Sequence, residues 1–285
     1  MNIQLMTDSG SDLSEELLKA FQVNVVPLYI HFGDEEYQSG ITIDTATFNE
    51  KLKHGSVFPL SSAPGPNEFY EAYKKIDPEK PIIVISLSKG ISSTYNHAVM
   101  GMNLLLEEEP NRRIAVINST SASPGQLLLL HEAHQKINEG YSFDELVPHL
   151  QERAEQTTTL FILKTIDNLV RGGRLDRVRG AVVKSLNIKL LMRASDEGKV
   201  EVSEKVRGDK KALRRFVEQI GEYTSNFEEK VLVMTHCNAQ ERAQHVLNKI
   251  KESYPFKKSI VTEMGPAIST HAGEGGLVIA FFKDK

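Results

Sequence analysis

The chain has 285 residues, 40% hydrophobic and 25% charged, with a formal net charge of −4. That length fits two domains of about 140 residues, and the acidic balance argues against the basic footprint that nucleic-acid binding needs. The single cysteine, Cys237, rules out an intramolecular disulfide or a cysteine-ligated zinc, and no apolar run approaches a spanning helix, so a cytoplasmic protein is expected.

The first half alternates strand and helix signals. Ile3–Met6 reads as a short strand, and Thr7–Ser11 as the polar turn after it. Asp12 stands where an N-cap would, with Glu15 in capping-box position and Leu13, Leu17, Leu18 and Phe21 on one helical face. Val23–Ile30 reads as a second strand, with Pro27 marking an edge or bulge. Helices are expected over Thr45–Leu52 and Asn67–Lys75. Pro81–Ile85 and Ile114–Ile117 are continuous apolar runs of the buried parallel type. Each leads through a hydroxyl-rich loop into a helix, the second over Pro124–Asn138, and the whole predicts a wound parallel sheet.

Past a boundary near Glu152 the pattern changes. Thr158–Leu163 and Ile188–Met192 read as strands, and Asp196-Glu197-Gly198 as the turn of a hairpin returning through Val202. A helix over Lys210–Tyr223, strand Val231–Thr235, a helix carrying Ala243, Val246, Leu247 and Ile250, and strands Ser259–Met264 and Leu277–Phe281 complete the chain. The expectation is an N-terminal wound parallel-sheet α/β domain, residues 1–152, and a C-terminal α+β domain with a hairpin, residues 153–285, with a ligand cleft between them.

Four hydroxyl-bearing loops stand out: Thr7–Ser11, Ser61-Ser62-Ala63-Pro64, Ser86–Thr94 and Asn118–Ser123. Ligands of open α/β sheets bind beyond the carboxyl ends of strands, and hydroxyls with free N–H groups suit a carboxylate or phosphate. The same residues also cap helices and build turns. Gly265–Gly276 reads as a loop rich in small residues, with Ser269, Thr270 and His271 as hydrogen-bond donors for an anionic head group. Arg171-Gly172-Gly173-Arg174, continued by Arg177 and Arg179, invites a phosphate or an acidic partner, or forms a solvated loop paired to acids such as Asp176. No P-loop and no Gly-x-Gly-x-x-Gly are present. His271 and the serines leave a Ser-His-Asp hydrolase open as an alternative, although no Gly-x-Ser-x-Gly elbow occurs. His131 and His134 share a helix face without a third ligand at metal-binding spacing, and no metal site is expected.

Taken together these segments resemble the DegV family of bacterial fatty-acid-binding proteins. Thr7-Asp8-Ser9-x-x-Asp12-Leu13 is similar to its opening signature. Ser61-Ser62-Ala63-Pro64 is similar to a Thr-Ser-Gln-Pro loop, and Ser88–Tyr95 to a Ser-Ser-Gly-Leu-Ser-Gly-Thr-Tyr segment. Ser119–Gln126, Arg171–Arg174 and Gly265–Gly273 follow in the family's order.

The resemblance implies a two-lobed DegV-type fold with a long-chain fatty acid between the lobes and a largely antiparallel second sheet. It implies that Ser61, Ser62, Ser92 and Ser93 hold the carboxylate, with His271 and Thr270 nearby, and that Arg171 and Arg174 meet a partner or phosphate. It further implies a non-catalytic carrier, with no cofactor beyond the bound acid. A separate fatty acid kinase would make the acyl-phosphate for phospholipid synthesis, and membrane contact would be at most transient. Ala63, Ser93 and Asn118 depart from the family pattern around the head group. A regulatory module for another small acid is the remaining alternative.

Overall fold

The computed structural model describes residues 3–175 and 187–284. The first half contains β1 (Gln4–Asp8), α1 (Glu15–Phe21), β2 (Asn24–Val26), β3 (Tyr29–Phe32), β4 (Glu35–Gln38), α2 (Thr45–His54) and β5 (Leu60–Ser62). It continues with α3 (Pro66–Lys74), β6 (Ile82–Ser86), α4 (Thr94–Glu108), β7 (Ile114–Asn118), α5 (Pro124–Asn138) and α6 (Phe143–Gln156). The second half contains β8 (Thr157–Ile162), α7 (Asp167–Arg171), β9 (Ile188–Ala194), β10 (Val200–Arg207) and α8 (Asp209–Glu218). It ends with β11 (Val231–His236), α9 (Gln240–Ser253), β12 (Lys258–Glu263), α10 (Pro266–Ala272) and β13 (Leu277–Phe282).

Two main sheets organise these elements. The first is parallel, in the order β2-β1-β6-β7; the second has six strands, β10-β9-β8-β13-β11-β12, antiparallel except for the β11–β12 pair. A small antiparallel sheet, β4-β3-β5, stands beside them. Helix α5 explains how the two large sheets share a core. Ten successive residues, Pro124–Ala133, are buried, as a helix covered on both faces requires. Leu127–Leu130 pack in one cluster with Ile83 and Ile85 of the parallel sheet and with Val233, Ala280 and Phe282 of the other.

Three local expectations change. The run Val23–Ile30 is not one strand: it breaks at Pro27, which has no N–H for a ladder. Before the break β2 pairs with β1, and after it β3 joins the small sheet. Leu28 N is satisfied by Ser9 Oγ at 2.9 Å. Asp12 is not the N-cap of α1. Ser14 is, accepting from Leu17 N, while Asp12 takes φ 52° and turns into the protein. The Gly265–Gly276 segment is not all loop, because Pro266 opens α10 and Gly273, at φ 68°, ends it. The β9–β10 hairpin pairs as the Asp196–Gly198 turn predicts.

Candidate functional site

The carboxyl ends of the parallel strands are fixed by two buried aspartates. Asp8 accepts from Gly10 N, Leu87 N, Ser86 Oγ and Gln126 Nε2 at 2.8–3.2 Å, so one carboxylate ties β1 to the loop after β6 and to α5. Burial raises its pKa and the four donors act against that rise. Asp12 reaches the other half of the chain: Gly265 N donates to its Oδ1 at 2.8 Å, and Ser123 Oγ donates to its Oδ2. Ser123 Oγ also lies 2.7 Å from Thr235 Oγ1 on β11. Burial pushes the Asp12 carboxyl up to about 8. Through Gly265, Asp12 sets the start of α10, the helix that carries His271.

On β5 the side chains alternate across the strand. Ser61 faces inward, with Oγ 2.7 Å from His271 Nε2. The Ser62 hydroxyl instead meets His31 Nε2 at 2.8 Å. His271 is half-buried, and the desolvation of its ring, with the nearby Arg174 charge, holds its pKa down at about 4, so the ring is neutral at pH 7. Ser92 lies just before α4; its Oγ is 2.7 Å from Thr94 Oγ1 and accepts from Thr94 N. The N-terminal end of the 15-residue α4, with Thr94 N bonded to Ser92 Oγ, therefore starts beside Ser92. His97 Nδ1 lies 2.7 Å from Pro64 O, which binds α4 to the loop after β5 and keeps the two serine segments together.

Ser61, Ser92, Arg174 and His271 are among the polar residues that line a cavity of about 910 Å3, its open mouth included. Leu28, Leu87, Phe161, Leu163, Leu169 and Val278 supply much of the apolar wall, drawn from both halves of the chain. The β9–β10 turn forms another side. There Ser88 Oγ donates to Gly198 O at 2.9 Å. The approach is so close that a Cβ on Gly90 would stand 2.5 Å from Glu197 O, and one on Gly198 would stand 2.0 Å from Ser88 Oγ.

The remaining sequence candidates are placed differently. Ser62 touches the cavity although its hydroxyl turns to His31. Ser93 faces an adjoining polar cleft that contains Lys89, Arg193 and Lys199, and Arg174 borders both spaces. Thr270 is fully buried and its hydroxyl donates to Pro266 O within α10, at 2.9 Å. Arg171 stacks over Phe58, 5.2 Å from the ring centroid. Arg174 is half-buried and donates through Nε to Ile91 O and through Nη1 to Gly172 O. Arg177, Arg179 and Asp176 lie outside the described residues. Among the described residues no cluster of three metal-ligating side chains occurs. The hairpin wall formed by Ala194 and Val200 is absent from the sequence reading. Its only signal was the turn itself, which says nothing of what the strands enclose.

The family model described as the uncharacterised DegV proteins matches residues 2–284. A DegV domain-containing protein of Streptococcus gordonii is 31% identical over 283 residues, covering 99% of each chain. Among solved structures, a DegV family protein from Ruminococcus gnavus, refined with vaccenic acid, superposes with a TM-score of 0.91 at 30% identity, covering 98% of this chain and 99% of that one. A fatty-acid-binding DegV family protein from Thermus thermophilus gives 0.90 at 25% identity over the whole of both chains. The Streptococcus pneumoniae Fatty Acid Kinase (Fak) B3 protein, loaded with linoleic acid, gives 0.88 at 27% identity, again over the whole of both.

Proposed function

The chain belongs to the DegV family, and from that premise we propose that it binds one long-chain fatty acid and presents the carboxylate to a separate fatty acid kinase. The observation that carries the reading is the cavity, whose largely apolar wall includes Ser61, Ser92, a neutral His271 and Arg174. In this reading the acid lies between an N-terminal lobe, residues 1–152, and a C-terminal lobe, residues 153–285. Ser61 and Ser92 hold the carboxylate, His271 supports Ser61, and the main chain of Ser62 lines the approach. Arg174 meets the carboxylate or the phosphoryl group that joins it, and Arg171, with Phe58, faces the partner.

The energetics favour such a ligand. At about 0.8 kcal/mol per buried methylene, about 16 methylenes contribute roughly 13 kcal/mol gross. Lost translational and chain freedom offsets much of it. Neutral hydroxyls share the carboxylate with Arg174, which is only half-buried, so no fully buried ion pair has to be desolvated. A carboxylate held by its outer hydrogen bonds keeps an oxygen available to attack a phosphoryl group supplied with the kinase. The proposed place of action is the cytoplasm, where ATP and the kinase are found. Among the described residues no helix is long and apolar enough to cross a membrane.

The Ser61–His271 pair has the spacing of a nucleophile and its base, which keeps the hydrolase reading in view. Against it, no carboxylate among the described residues orients His271 Nδ1, which has no hydrogen-bond partner among them. The test of the carrier reading is reconstitution: oleate-loaded protein, a bacterial fatty acid kinase catalytic subunit and ATP are combined, and acyl-phosphate is trapped with hydroxylamine. Acyl hydroxamate that forms only when all components are present is the expected result. Release of free acid from an acyl ester by this chain alone would favour the hydrolase.

A further inference from the structure

The two glycines of Arg171-Gly172-Gly173-Arg174 serve different purposes. Gly173 takes φ 74°, which side chains other than glycine rarely adopt. Gly172 has ordinary helical angles, φ −72° and ψ −7°, so its backbone would accept alanine. What excludes a side chain there is space. A Cβ on Gly172 would stand 2.5 Å from His271 Nδ1 and 2.7 Å from its Cε1. The edge of the imidazole therefore rests against the bare Gly172 backbone at the end of α7. Asn168 Nδ2 donating to Thr270 O, at 3.2 Å, clamps the two helices on the same side.

This contact decides where the imidazole keeps its proton. A neutral ring has one N–H and one acceptor nitrogen. Nδ1 is sealed from water and has no hydrogen-bond partner among the described residues, while Nε2 lies 2.7 Å from Ser61 Oγ. A proton on Nδ1 would be a buried donor with nothing to receive it, the arrangement proteins avoid most strictly. A proton on Nε2 is satisfied by the Ser61 oxygen. The carbonyls at this contact, Gly172 O and Asn168 O, accept from Arg174 Nη1 and Gly172 N, and neither bonds to Nδ1. We propose that Gly172 is a positioning residue: its missing side chain seats His271 with the proton on Nε2, so that Ser61 accepts from the ring and keeps its own hydroxyl proton to donate into the cavity. The reverse polarity, Ser61 donating to His271, would turn an oxygen lone pair toward the cavity and repel a carboxylate. Burial and the Arg174 charge, which keep the ring unprotonated, act in the same direction. The consequence for a carboxylate rests on the fatty-acid reading; the position of the proton does not.

Two measurements test this. In the first, long-range 15N–1H correlation spectra of the histidine-labelled full chain at pH 7, assigned by comparison with His271→Gln, read the tautomer directly. A neutral ring protonated on Nε2 is expected. A ring protonated on Nδ1, or an imidazolium, overturns the proposal. In the second, Gly172→Ala is made in the wild type and in His271→Ala. The added methyl is expected to weaken oleate binding at least tenfold in the first background and less than twofold in the second, where no ring opposes it. An equal loss in both, or none in either, overturns the positioning role. If the wild type takes up no oleate the fatty-acid reading fails, and the same cycle read by thermal unfolding, with the tautomer, still decides this proposal. If Gly172→Ala does not fold, the tautomer in the wild type decides.

Discussion

Ser61 and His271 are 210 positions apart in the chain and 2.7 Å apart in space. Ser61 stands on β5 and His271 on α10, and their contact joins the small β4-β3-β5 sheet to the helix before the last strand. Removing the Ser61 hydroxyl takes away a donor proposed for the carboxylate, and a hydrogen bond to a charged group is worth about 1.5–3 kcal/mol. Ser61→Ala is thus expected to weaken fatty-acid binding about tenfold or more. Ser62→Ala removes only a hydroxyl turned toward His31 at the surface, and is expected to change binding less than threefold. Displacement of a fluorescent fatty acid measures both, and an equal effect of the two changes would contradict the assigned orientations.

Asp12 predicts a pH dependence. Burial raises it to about 8 from an ordinary value of 3.8. Between those values the folded chain holds a proton that the unfolded chain has released. The group's destabilising effect is absent below about pH 4 and grows as pH rises toward 8. Asp12→Asn imitates the protonated carboxyl, keeping an acceptor for Gly265 N and gaining a donor toward Ser123. Urea unfolding at pH 5, 6.5 and 8 is expected to show a smaller loss of stability with rising pH in Asp12→Asn than in the wild type. Identical slopes would place the proton elsewhere.

Two histidines act in the opposite direction. Burial holds His271 and His131 at about 4, below the ordinary 6.5. In the window from 6.5 down to 4 the unfolded chain gains protons that these folded imidazoles refuse. Their contribution is present above pH 6.5 and lost progressively as pH falls through that window. His131 packs edge-on to Phe21, far from the candidate site in the chain. His131→Gln should therefore reduce acid sensitivity without altering ligand affinity at pH 7. Unfolding at pH 4.5 and 7, with binding at pH 7, separates these effects.

The hairpin turn closes one side of the cavity through contacts that tolerate no side chain. Gly90→Ala would place a methyl 2.5 Å from the backbone oxygen of Glu197, which cannot rotate away. The expected outcome is faster hydrogen exchange over residues 194–200 and faster release of bound acid. Unchanged exchange there would show that the turn does not depend on this approach.

Much of this architecture was legible because buried strands and helix ends have strong local signals. The apolar runs Pro81–Ile85 and Ile114–Ile117 become β6 and β7 with ends shifted by a residue, and the helix expected over Pro124–Asn138 is α5. Helix α6 was missed although Ser142 and Glu145 form a capping box visible in the sequence. The small sheet was missed because β4 and β5 are short and largely exposed, so neither shows an apolar alternation. Ser61 and His271 could be singled out as polar residues in unusual segments, but their meeting could not, since it depends on Asp12 and Gly265 joining the two halves. The importance of Gly172 was hidden for the same reason: its neighbour His271 lies 99 positions on. A glycine needed for space leaves no local trace, whereas Gly173, needed for its backbone angle, falls in a recognisable turn.

The most direct test of the central claim is native mass spectrometry of the purified chain, before and after incubation with oleate. The carrier account predicts one adduct of fatty-acid mass per chain, released on denaturation and identified as a long-chain acid. A folded protein that carries no acid as purified and takes up neither oleate nor palmitate would contradict it.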